Sequence, residues 1–109
     1  MTFDDLLGQM QQIKHREIRS QDKDHCEMVF APDNVKSATA VLEAYFGLPL
    51  KPEGKEPTTE AARFADPHGG VRFNQTLYFH KGEKTSELAL LWPWGGGSAL
   101  TLIIVRQPV

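Results

Sequence analysis

The sequence predicts an α+β fold: a mostly antiparallel sheet of about four strands in β-α-β-β-β order, with an extra N-terminal amphipathic helix. Three observations predict it. Apolar residues recur at helical spacing near the N-terminus and again over residues 35–46. The spacing changes to period two in 24–31 and again from 71 to 106. The chain of 109 residues, 40% hydrophobic and 24% charged, is long enough for one core and one domain, 1–109.

Each element follows from local chemistry. Thr2 and Asp5 have capping-box spacing, and Phe3, Leu6, Leu7, Met10 and Ile13 form an apolar stripe. Asp4 and Asp5 near the start and Lys14, His15 and Arg16 near the end suit the helix dipole, so a helix is expected from 2 to about 16. The run from Lys14 to Glu27 mixes charges of both signs and reads as solvated surface. In Asp24 to Ala31, Cys26, Met28 and Phe30 alternate with His25, Glu27 and Val29, the pattern of a half-buried strand.

Asp33 or Asn34 then caps a second helix whose apolar face is Val35, Ala38, Val41, Leu42, Tyr45 and Phe46. Gly47 and Pro49 stop it. Residues 48–70 are the least regular part, a long loop with four prolines, in which "PTTEAARF" makes one helical turn capped by Thr58 or Thr59. From Val71 to Lys81, Val71, Phe73, Gln75, Leu77 and Phe79 share a strand face. "KGEK" turns the chain, and Thr85–Trp92 and Ala99–Arg106 complete a three-strand meander with helices on one side of the sheet. The last strands are apolar on both faces, which requires cover on both, from helices or from a second copy.

Several chemistries are disfavoured. The net charge of -2 argues against a general nucleic-acid binder. "VRFNQTLYF" places aromatics on a strand but lacks the glycine and basic positions of an RNA-binding octamer. The single cysteine, Cys26, forms no internal disulfide and sits on the apolar strand face, so it reads as packing. The N-terminus lacks the pattern of a secretory signal, and no apolar run approaches the roughly 20 residues of a membrane span, so no membrane association and a cytoplasmic location are expected. His15, His25, His68 and His80 make no metal-ligand spacing, and no cofactor motif is present.

"WPWGGGSALTLIIV" decides how the glycines are read. A phosphate loop needs glycines that open a helix, and "GGGS" opens a strand, so these glycines belong to a hairpin connection. The meander would bring "DPHGG" (66–70) and "WPWGGG" (92–97) to one rim. Asp66, His68, Trp92 and Trp94 there are the candidate ligand- or partner-binding residues. Pro93 should end the strand pairing and release Trp94 into the turn, more exposed than Trp92.

The stretch "FAPDNVKSATAVLEAYFGLPLK" (30–51) resembles the strand–helix–"GLPL" opening of a vicinal-oxygen-chelate module, the glyoxalase and bleomycin-resistance superfamily. The resemblance implies the same β-α-β-β-β order. That family pairs two modules around a cavity with His and Glu metal ligands on strands. This chain has one such module, an extra N-terminal helix and no acid in its last strand, so no site residue carries over.

With no catalytic constellation, the sequence favours a non-catalytic binding or assembly module acting as a homo-oligomer, a dimer, or with a protein partner. The alternatives are a small-molecule binder or small enzyme using the 66–70 and 92–97 rim, with the 48–70 loop as lid, and a purely structural subunit of a larger complex.

Overall fold

The computed structural model describes residues 1–109. Its elements in chain order are α1 (Phe3–Gln12), β1 (Glu17–Asp22), β2 (His25–Phe30), α2 (Val35–Phe46), α3 (Thr59–Ala65), β3 (Thr76–Lys81), β4 (Thr85–Pro93) and β5 (Leu100–Pro108). The five strands form one antiparallel sheet in the order β1-β2-β5-β4-β3. The α+β class and the N-terminal helix are as expected. From β2 onward the chain keeps the β-α-β-β-β order, with α3 inserted before β3.

The strand count is corrected. Glu17–Asp22, expected as solvated surface, is strand β1, hairpinned to β2 with a bulge at Arg19. All six of its residues are exposed, so no alternation of burial marks it. The first strand of the meander starts at Thr76 and not at Val71. Residues 72–75 form a turn in which Gln75 N–H donates to Arg72 O, and Phe73 is left exposed.

Helices cover both faces of the sheet, where one side was expected. On the first face, Met28, Phe30, Tyr78, Leu91, Leu102 and Ile104 pack with the α1 stripe of Phe3, Leu6, Leu7 and Met10 and with Ala38 and Leu42 of α2. Cys26 lies in this core, fully buried. On the second face, Leu77, Leu88, Leu90, Ile103 and Val105 pack against α3 through Ala61 and Ala65, one helical turn apart. Two alanines leave only small side chains on the side of the helix that meets the strands. Part of the cover that the doubly apolar strands require therefore comes from the segment expected to be an irregular loop.

The helix ends follow the capping logic with two adjustments. Thr2 accepts from Asp5 N–H while the Asp5 carboxylate accepts from Thr2 N–H, the reciprocal box. The α1 helix ends at Gln12, short of Lys14, His15 and Arg16. Asn34 occupies the N-cap position of α2 without a side-chain cap, because a 3-10 turn at Pro32–Asn34 leads into the helix. The α3 helix takes Thr58 as its cap, its hydroxyl accepting from Ala61 N–H.

Candidate functional site

The tryptophan–glycine turn is a closed hairpin connection. Trp94 N–H donates to Ala99 O and Gly97 N–H to Trp94 O. Gly96 and Gly97 take positive φ of 82° and 72°, a conformation that costs glycine nothing. Pairing continues through Pro93, opposite Leu100, contrary to the expected stop. The Trp94 N–H bond to Ala99 resumes the ladder one residue later, so proline occupies a position where no bond to β5 is lost.

The four candidate residues of the rim go to different surroundings. Trp92 is half-buried and packs on the backbone at Gly69, where an added Cβ would lie 2.7 Å from its ring. This contact brings the 66–70 and 92–97 loops together. Trp92 Nε1 is buried with no acceptor. Trp94, 37% exposed, donates Nε1–H to Thr101 Oγ1 at 2.8 Å and lies under the Arg19 guanidinium. It is more exposed than Trp92, as expected, yet it is tied down. The His68 ring points elsewhere: its Nε2 lies 3.0 Å from Gln107 Oε1, near the end of β5 remote from Thr101. Asp66 is exposed, and its carbonyl accepts from Gly69 N–H. No cavity is lined by any of the four.

A concave site does open on the first sheet face, between α2 and the ends of β3, β4 and β5. It encloses about 220 Å³. The helix contributes Val35, Thr39 and Glu43, spaced four apart and therefore on one side of α2. The sheet contributes Thr76, Tyr78, Leu91, Pro93 and Leu100, and the loop after α2 contributes Pro49 and Glu53. The strand residues share one face because side chains alternate along each strand and the register aligns Thr76 with Leu91 and Pro93 with Leu100.

The polar end of this cleft is organised. Tyr78 is buried, and its hydroxyl donates to Glu43 Oε2 at 3.2 Å. Burial first, and then the neighbouring Glu43 charge, pushes the Tyr78 hydroxyl well above the usual phenol range, so it remains a donor. No lysine, arginine or histidine lines the cleft. The nearby Lys51, itself buried, turns away and donates to the carbonyls of Phe73 and Gln75 at 2.7 and 2.5 Å. Lys51 also bridges to Leu77 through the backbone, which fixes the loop carrying Pro49 and Glu53 against β3.

A second, shallower cavity of about 210 Å³ lies on the opposite face beside the stacked rings of Phe64 and Phe79. Its polar lining does not converge in the same way: the Gln107 amide is engaged by His68 and Lys81 is exposed. No group of three or more His, Cys, Asp or Glu side chains is placed to hold a metal ion, and burial pushes the Cys26 thiol upward, away from the reactive thiolate.

Sequence reasoning missed the cleft. It read α2 by its apolar stripe alone, and Thr39 and Glu43 lie beside that stripe. The i, i+4, i+8 series of Val35, Thr39 and Glu43 was the available signal. Comparison with known protein families, curated proteins and solved structures finds no match. No helix is long and apolar enough to cross a membrane.

Proposed function

We propose that this protein is a non-catalytic binding module whose ligand site is the cleft under α2. One observation carries the reading: an apolar wall of Val35, Leu91 and Leu100 faces an oriented polar pair, Tyr78 and Glu43, across about 220 Å³. Pockets for small ligands combine these two features. The volume falls below the roughly 300–1,000 Å³ of drug-sized sites, so the ligand is a small metabolite-sized molecule. No nucleophile–base pair adjoins the cleft, which favours binding over chemistry.

A fragment screen read by backbone amide NMR tests this. Hits should shift signals of Thr39, Glu43, Thr76 and Tyr78, and Thr39→Trp should abolish them by filling the cleft. Trp94→Ala should leave them intact. Hits that shift residues 66–70 and 92–97 instead, and vanish in Trp94→Ala, would replace the cleft with the rim.

Assembly of two copies is the second reading. Leu48, Leu50 and Phe73 are all exposed, and the segments carrying them are joined by the Gly54 N–H to Phe73 O bond. Grouped apolar exposure of this kind supports association. Sedimentation over a range of concentration tests it, with Phe73→Asp expected to dissociate any dimer.

A further inference from the structure

We propose that the cleft under α2 takes a small organic ammonium ion, its charged head at Glu43 and its apolar body against Leu91 and Leu100. The inference rests on the reading of the cleft as a ligand site and names the chemical class of the ligand.

The charge lining the cleft has one sign. Glu43 and Glu53 are its only ionisable acids, and no cationic side chain lines it. Tyr78 donates to Glu43 Oε2 at 3.2 Å, which turns that exposed carboxylate toward the cleft. A carboxylate has about four acceptor positions, and the tyrosine bond uses one, so acceptors remain for an N–H donor. Thr39 and Thr76 line the same space, and their hydroxyls can accept further N–H bonds. Lys51 feels the charges of Glu56 and Glu53, not that of Glu43. Its ammonium is committed to the Phe73 and Gln75 carbonyls, and it does not line the cleft.

An anion in this space would face two carboxylates with no partner. A neutral ligand would make no use of the Glu43 and Glu53 charges, which stand exposed at the cleft. An inorganic cation finds no group of three His, Cys, Asp or Glu side chains here. An ammonium with a hydrocarbon body matches both ends: charge-assisted hydrogen bonds at Glu43, and apolar contact with Leu91, Leu100 and Val35.

The test uses three probes with the same ring and chain length: phenethylamine, phenethyl alcohol and 3-phenylpropionate. Each is titrated into the full chain and read by amide NMR. The amine should shift Thr39, Glu43 and Tyr78 and bind about tenfold or more tighter than the alcohol, the size of one charge-assisted hydrogen bond. Glu43→Gln keeps an oxygen to accept from Tyr78 and removes the charge, so it should fold and weaken the amine by a similar factor without affecting the alcohol. If the alcohol or the carboxylate binds the cleft as tightly as the amine, or Glu43→Gln leaves amine binding unchanged, the ammonium inference is wrong and the cleft remains a site. If none of the three probes shifts the cleft signals, the cleft reading falls and the inference with it.

Discussion

Gly69 and Gly70 both hold positive φ, 105° and 87°, but only Gly69 has a neighbour where a Cβ would stand, the Trp92 ring. Gly70→Ala should therefore cost only the backbone term, about 1–2 kcal/mol. Gly69→Ala should cost more, because the collision at 2.7 Å is with a rigid, half-buried ring. Urea midpoints of the two variants measure the difference, and equal midpoints would mean that the ring yields freely. Trp92→Ala should cost less than the roughly 3–5 kcal/mol of a fully buried aromatic, because the ring is half-buried. Trp92→Phe should cost much less, since it also removes a buried N–H that has no acceptor.

Two tyrosines give the stability an alkaline limb. Burial, then the hydrogen bond to Glu87, raises the Tyr45 hydroxyl, and burial with the Glu43 charge raises that of Tyr78. A folded-state value raised above the ordinary one favours the protonated form. The contribution is thus complete below about pH 10 and is lost as pH rises past it. Lys51 has the opposite sign: burial lowers its value, so its penalty on folding fades as pH rises towards 10.5. The double variant Tyr45→Phe, Tyr78→Phe retains Lys51. Its urea midpoint should fall less between pH 8 and pH 11 than that of the wild type, and parallel curves would contradict the assignment.

Among the elements, α1 carries more than its position at the chain end suggests. Its four buried apolar residues contribute roughly 1.5–3 kcal/mol each for a large side chain. Leu7→Asp should abolish the cooperative melting transition, whereas Ile18→Lys on the exposed β1 should move it little, within about 0.5 kcal/mol. Circular dichroism melts compare the two. The same contrast explains what could be read in advance. The α1 and α2 helices were legible because their stripes contrast with polar flanks. The β1 strand was not, since exposure on both sides leaves no periodicity. The α3 helix was legible only as a capped turn, because Ala61 and Ala65 carry little hydrophobic signal although both are fully buried.

At the scale of the whole molecule, the site depends on contacts no local window contains. Tyr78 and Glu43 lie on different elements, and the cleft exists only because α2 crosses the face where β3, β4 and β5 end together. The rim was inferred from meander topology, which correctly brought Gly69 to Trp92. Topology does not set side-chain direction, and His68 turned to Gln107. Tyr78→Phe tests how far the hydroxyl bond holds the cleft together. It should cost about 1 kcal/mol by chemical denaturation, the usual net worth of such a bond.

The sheet order has a kinetic consequence. The β1–β2 hairpin and the β3–β4–β5 meander are each local in sequence, but the sheet closes only where β2 meets β5, joining His25 to Val105 and Phe30 to Leu100. Ordering the intervening chain precedes any gain from that seam, so refolding should be slow, on the order of milliseconds to seconds. Until the seam closes, the apolar edge of β5 is open to any passing strand. Stopped-flow refolding at rising protein concentration should therefore lose amplitude to aggregation, and Met28→Ala, which weakens the seam, should increase that loss.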